Sequence, residues 1–560
     1  MPSKAKQLGV EDISHAMRPS KLRPIVQKRK TVVSEPPVPR REAATETVAY
    51  PIPAGLHYLL KEEALAEGKT AAALMTELLE VAVTERHRVR YPILRPAKAT
   101  VSSSARGQLH ERYASRLVAN PLLTRKLVSF QASKVTPFYR WLKYKEAFSP
   151  ELVDYLFDCL DIARNESAHV LDPFAGTGTT LTRASARRWK ATGIELLPVG
   201  VHALHARFAA DRVDPVAFKR VVERLNALDW DKPKAGWHFP HLRITQDAFS
   251  ATTEAQMSAY LRFLDGIADV DMRFLLWFAC LSVLEEVSFT RKDGQYLRWD
   301  SRSGRTLGRP FNKGAILAFN EAVRQRLAEF VEDLQTRNGG NFSRNVEVIE
   351  GSCLTALPKL PESKFDVVLT SPPYCNRYDY TRTYALELAF CGSNENDIRR
   401  LRQTLLSATV ENKSKRAELC ALYAQLGAGY RYSAIEGAYE QQAALQEVLG
   451  LLIAARERDE LSNPNVPDLV ANYFMEMAQV VFELARVLKS GGHVIMVNDN
   501  VRYHGEEVPV DLILSDFAAS AGLAVEKIWV LPRGKGNSSQ QMGRWGRQEL
   551  RKCVYLWKKL

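Results

Sequence analysis

Two runs far apart in the chain place chemistry-bearing residues at the ends of apolar segments. The first, Val170-Leu171-Asp172-Pro173-Phe174-Ala175-Gly176-Thr177-Gly178-Thr179-Thr180, reads as a buried strand entering a tight glycine turn and then a helix. Gly176 and Gly178 carry no Cβ, so the backbone there can take positive φ and let the sugar and amino-acid portions of a ligand approach main-chain N–H groups at the helix start. A turn that merely joins a strand to a helix would use the same glycines. The second, Phe365-Asp366-Val367-Val368-Leu369-Thr370-Ser371-Pro372-Pro373-Tyr374, is another apolar strand. It ends in a Pro372-Pro373 step that two fixed φ angles hold rigid, flanked by the Ser371 hydroxyl and the Tyr374 ring.

Taken together, the patterns D-P-F-x-G-x-G-T and T-S-P-P-Y resemble the S-adenosylmethionine-dependent DNA amino-methyltransferases, the cytosine-N4 and adenine-N6 type. The resemblance implies S-adenosyl-L-methionine as cofactor and double-stranded DNA as partner, with Asp172, Phe174, Gly176, Gly178 and Thr179 forming the cofactor loop. It also implies that Ser371 and the backbone carbonyl of Pro372 accept the hydrogens of a base amine. Pro373 would stiffen the turn, and Tyr374 would stack on a base flipped from the duplex. No metal is called for. Serine at the first position of the motif leans toward cytosine N4; adenine N6 is the alternative substrate. A DNA-binding regulator that keeps the fold without turnover is the alternative from another class. A restriction-modification setting goes with the family.

Further site residues sit on the flanking elements. The segment before the first strand carries Phe148-Ser149-Pro150, matching the family's element against the methionine end of the cofactor. It equally suits a helix start, with Ser149 as cap and Pro150 at the first helical position. After the glycine loop and its helix comes Ala191-Thr192-Gly193-Ile194-Glu195-Leu196. An acid at the end of a second strand is placed to bind two ribose hydroxyls, as in dinucleotide folds, so Glu195 is the expected ribose ligand. After Gly351 the family often has an aspartate for the adenine amine; this chain has Ser352, a weaker acceptor.

The elements that must position these residues alternate strand and helix, which predicts an α/β fold: a Rossmann-like class I methyltransferase sheet, mostly parallel with an antiparallel final hairpin. It spans 136–560, with helical insertions at about 198–345 and 392–467. Residues 1–46 are rich in Lys, Arg, Pro and Ser without apolar periodicity, and read as a disordered basic arm that either touches phosphates or is simply solvated. Residues 47–90 read as a strand and two helices. That pattern is similar to a ribbon-helix-helix unit, which would imply a homodimer, and equally fits a helical hairpin packed on the main domain. Residues 91–135 read as a linker and helical lead-in.

Two further stretches mix cations with aromatics or glycine: Phe289–Arg305 and Arg533–Arg547. Each suits contact with phosphates and unstacked bases, or a solvated basic loop. The net charge of +13 over 560 residues favours a polyanionic partner. Seven cysteines without a C-x-x-C pair argue for a reducing compartment and against structural zinc. With no apolar run long enough for a bilayer and no signal-peptide core, the sequence predicts a cytoplasmic protein without membrane contact.

Overall fold

The computed structural model describes residues 54–66, parts of 70–78, 104–124, 127–160, 168–228, 230, 237–293, 296–305, 310–337, 342–532 and 549–560. All belong to one compact unit, Ile52–Leu560. The basic arm, the expected ribbon strand and the Arg533–Arg547 stretch lie outside the described residues.

Twelve strands are described, in chain order β1 (Leu117–Ala119), β2 (His169–Asp172), β3 (Lys190–Glu195), β4 (Thr290–Asp293), β5 (Tyr296–Trp299), β6 (Val346–Glu350), β7 (Phe365–Thr370), β8 (Leu488–Asp499), β9 (Val501–Tyr503), β10 (Glu506–Val508), β11 (Leu523–Val530) and β12 (Lys552–Lys559). Eight of them make the central sheet, in the order β1-β11-β12-β8-β7-β2-β3-β6. β12 is antiparallel to both its neighbours, and every other pairing is parallel. The chain leaves β2 outward through β3 to β6, then returns to β7 on the opposite side of β2. This reversal makes the carboxyl ends of β2 and β7 a topological switch point, the place where open α/β sheets bind ligands.

Side-chain alternation shows why the strands lie in a sheet covered on both faces. Along β8, Val494 and Met496 enter one apolar layer while Ile495 and Val497 enter the other; along β12, Tyr555 and Trp557 alternate with Val554 and Leu556 in the same way. The first layer includes the helices Val466–Val487 and Val510–Ser520, and the second includes Pro150–Cys159 and Thr179–Ala186. Leu59, on the helix Ala54–Ala66, also packs on the second layer.

Lys489-Ser490-Gly491-Gly492 has the composition of a turn but is part of β8. Its extra residues are absorbed as a bulge against β7, where Phe365 pairs with Leu488 but Val367 pairs with His493, and Gly491 takes φ +77°. β1 is a three-residue edge strand, too short to give a periodic signal.

Both insertions are helical. The first forms a separate apolar cluster around the helix Val270–Val287, whose interior is apolar on nearly every side, and carries the β4–β5 hairpin. The second contributes helices such as Gly429–Gln441 and Ala443–Glu457 to the layer over β8. Among the described residues no helix is long and apolar enough to cross a membrane.

Candidate active site

Parallel pairing brings the carboxyl ends of β2, β3, β6 and β7 to one edge, so Asp172, Glu195, Gly351 and Thr370 meet although they are distant in sequence. The Thr370 hydroxyl donates to Asp172 Oδ1 at 2.7 Å, and the Phe174 N–H donates to the same oxygen at 3.1 Å. Thr180, one residue into the next helix, donates to the Leu369 carbonyl. These bonds tie the glycine loop to the Ser371–Tyr374 turn. Burial raises the Asp172 carboxyl to about 6, with the bonds from Thr370 and Phe174 pulling the other way.

Glu195 is fixed by backbone donors: Gly176 N–H at 2.6 Å to Oε2 and Leu197 N–H at 2.7 Å to Oε1. Burial nevertheless pushes its carboxyl up to about 7. Gly200 must be glycine here, since a Cβ would come within 2.9 Å of the Glu195 side chain.

A cavity of about 560 Å³ opens over this edge. Its wall includes Phe148, Asp172, Phe174, Gly176, Thr179, Glu195, Ser352, Ser371, Pro372, Pro373 and Tyr374, so nearly all residues singled out in the sequence converge on one space. In the turn, the Ser371 hydroxyl donates to the Tyr374 hydroxyl at 3.3 Å. Burial raises the Tyr374 phenol far above its ordinary value and keeps it neutral. Ser352 donates to the Thr404 carbonyl at 3.2 Å, which leaves its oxygen lone pairs for another donor.

Two expected residues stand outside the wall. Ser149 is fully buried as a helix cap, accepting from Leu152 N–H at 3.1 Å and donating to the Leu127 carbonyl at 2.8 Å. Both its hydrogen-bonding functions are thereby used. Gly178 has φ +78°, and a Cβ there would lie 2.3 Å from Leu204 Cδ2, on the side of the following helix. Its need for glycine comes from packing and backbone conformation.

Other wall residues went unmarked in the sequence. Tyr144, Glu146, Tyr378, Tyr380, Asp499 and Lys552 all line the cavity. Lys552 Nζ is 2.5 Å from Asp499 Oδ2, joining the end of β8 to the start of β12. Asp499 carried the same signal as Glu195, an acid at a strand end. The lead-in segment is held by the first insertion: Phe138 N–H, the Arg140 guanidinium and the Trp141 indole N–H all donate to buried Asp333, at 2.6 to 2.7 Å. Of the basic stretch around β4 and β5, Lys292 is unavailable for phosphates, because it is buried and paired with Glu387 at 2.6 Å. Arg298 and Arg305 stack over Phe311 and Trp299, each at 4.1 Å. Among the described residues no group of His, Cys, Asp and Glu could hold a metal ion.

A sheet with a single reversed strand, crossing over at β2 and carrying a glycine loop and an acid at successive strand ends, defines a Rossmann-like methyltransferase. No family model matches the chain. Curated relatives do: Type II methyltransferase M.AvaI, from Nostoc sp. and from Anabaena variabilis, is 42% identical over 459 residues, which is 80% of this chain and 92% of the relative. Type II methyltransferase M.BsoBI from Geobacillus stearothermophilus is 38% identical over 470 residues, 81% of this chain and 91% of the relative. The chain belongs to the Type II methyltransferase family.

Proposed function

We propose that this chain transfers a methyl group from S-adenosylmethionine to the exocyclic amine of a base flipped out of double-stranded DNA, with cytosine N4 as the acceptor. The observation that carries this reading is the Thr370–Asp172 hydrogen bond, which sets the glycine loop and the Ser371–Tyr374 turn on one cavity. The residues suit the donor. Gly176 has φ +53°, Gly351 has φ +148° with open space where a Cβ would stand, and the cavity is within the size range of small-molecule sites. When bound, S-adenosylmethionine supplies a methyl group on a positively charged sulfur. Glu195 would hold the ribose hydroxyls with the lone pairs its backbone donors leave free, Ser352 would face the adenine amine, and Phe148 would pack on the methionine end.

An exocyclic base amine is a weak nucleophile because its lone pair is delocalised into the ring, so the turn has to localise it. Ser371 Oγ, whose proton points to Tyr374, keeps its lone pairs to accept one amine hydrogen, and the Pro372 carbonyl accepts the other. Tyr374 offers its ring face to the flipped base. Catalysis on this account is positioning together with hydrogen bonds that strengthen as the nitrogen becomes tetrahedral. Serine in place of aspartate or asparagine at position 371 is the basis for cytosine over adenine.

Incubating the full chain with duplex DNA and S-adenosylmethionine, then digesting to nucleosides for mass spectrometry, tests the reading. N4-methylcytosine is the expected product. N6-methyladenine would reassign the acceptor base, and 5-methylcytosine or no methylated base would overturn the proposal.

A further inference from the structure

The first insertion carries one arrangement of charge that its own packing does not explain. In the β4–β5 hairpin the inward face is fully used: Lys292 is buried against Glu387 of the helix Ala385–Phe390, and Leu297, opposite it in the ladder, is buried as well. On the outward face the ladder sets Arg291 directly across from Arg298. Like charges at directly opposed positions repel and destabilise a strand pair. Nearby carboxylates offset little of this. Asp293 stands 3.5 Å from Arg298 with both side chains open to solvent, and Arg291 pairs with no carboxylate among the described residues.

The two guanidinium groups are nonetheless held in place. Both lie over the ring of Phe311, Arg298 at 4.1 Å and Arg291 at 6.0 Å from its centre. Phe311 is itself tied down, since its carbonyl accepts from the Ser301 N–H at 2.9 Å. Stacking occupies the face of a guanidinium and leaves free its N–H edge, the edge that meets an oxyanion. The hairpin is also anchored to the cavity wall. The Lys292 carbonyl accepts from the Lys145 ammonium, Lys145 lines the cavity, and β5 packs beside the helix Tyr380–Thr383, whose Tyr380 is another wall residue. The arginine pair thus stands one element away from the space over the Ser371–Tyr374 turn.

We propose that Arg291 and Arg298 hold the phosphate backbone of the duplex beside the flipped nucleotide, an inference that rests on the reading of DNA as the substrate. A phosphate diester between them supplies the negative charge that the opposed pair lacks. It turns a repulsive contact into charge-assisted hydrogen bonds from two arginines that Phe311 has already oriented. Such a contact fixes position and carries no sequence information. It gives the first insertion a part in seating DNA at the cavity, separate from its hold on the lead-in segment.

Fluorescence anisotropy of the full-length protein on a labelled mixed-sequence duplex, repeated across a range of salt, tests this role. Arg291→Gln combined with Arg298→Gln should weaken binding by about tenfold and make the slope of log affinity against log salt shallower by about two, since each phosphate contact contributes about 0.9. Arg291→Lys with Arg298→Lys should keep most of the slope, because the charge remains. Calorimetry on the glutamine pair should find S-adenosylmethionine affinity within about twofold of wild type. Its melting temperature should hold or rise, because the opposed charges are gone. If the double variant melts early, Arg291→Gln alone carries the test, with a slope shallower by about one. An unchanged slope in a folded variant, or an equal loss of donor affinity, would overturn the proposal while leaving the DNA reading intact. Wild-type protein that binds no duplex would instead remove that reading and this inference with it.

Discussion

Gly176 and Gly178 stand two residues apart in sequence but serve different purposes. A side chain at Gly178 strikes Leu204 at 2.3 Å, so Gly178→Val should lower the melting temperature of the whole protein, with a stability loss of several kcal/mol from overpacking and an αL β-branched residue. Gly176→Ala meets only Tyr144, at 3.4 Å, and should weaken S-adenosylmethionine in calorimetry more than it shifts the melt. Glu195 has a further signature. Its folded pKa is raised to about 7 from a usual value of 4.5, so the folded state holds a proton that the unfolded state has released. The resulting stability is present below pH 4.5 and is lost as pH rises through 7. Denaturant melts of wild type and Glu195→Gln at pH 5 and pH 8 should therefore show the variant gaining relative to wild type by a few kcal/mol at the higher pH. An unchanged difference would mean that the carboxyl titrates normally. Gly176 and Glu195 were legible as candidates because a turn glycine and an acid at strand ends are signals in the sequence itself, and both line the cavity, whereas the packing against Leu204 that requires Gly178 leaves no such signal. Ser149 carried two readings because a cap and a ligand contact call for the same hydroxyl, and its Leu127 and Leu152 partners show the cap.

At the scale of elements, the sheet strands were readable from apolar runs bounded by turn residues, since burial on both faces leaves a near-continuous apolar signature. The bulge in β8 was not, because Lys489-Ser490-Gly491-Gly492 has turn composition and becomes strand only when β7 pairs across it. The β4–β5 hairpin shows the same limit. Lys292 looks like a solvent-facing cation in sequence, yet the fold buries it between Glu387 at 2.6 Å and Glu285 at 4.0 Å. Lys292→Met should cost about 3–5 kcal/mol in denaturant unfolding, since it strands buried carboxylates, and replacing Glu387 with Gln as well should recover part of that loss. A cost under 1 kcal/mol for the single variant would show that the pair is not buried in solution.

Over the whole molecule, the insertions are more than appendages, since Asp333 and Glu285 of the first hold the lead-in segment that forms one wall of the cavity. That could not be read from the chain, because contacts between Phe138 and Asp333 span nearly the full insertion and leave no periodic trace. The charge of +13 belongs to this scale as well. Duplex affinity should fall steeply with salt as condensed counterions are released, and removing residues 1–46 should reduce the slope of log affinity against log salt. An unchanged slope would place the phosphate contacts elsewhere on the chain.

The central claim is that the Ser371–Tyr374 turn is where the methyl group meets its acceptor, and single-turnover methylation of duplex DNA alongside S-adenosylmethionine titration tests it most directly. Ser371→Ala should slow transfer by about a hundredfold, as expected for a hydrogen bond that matters most in the transition state, while donor affinity stays within about twofold of wild type. Wild-type transfer rates in Ser371→Ala and Tyr374→Ala alike would contradict the account.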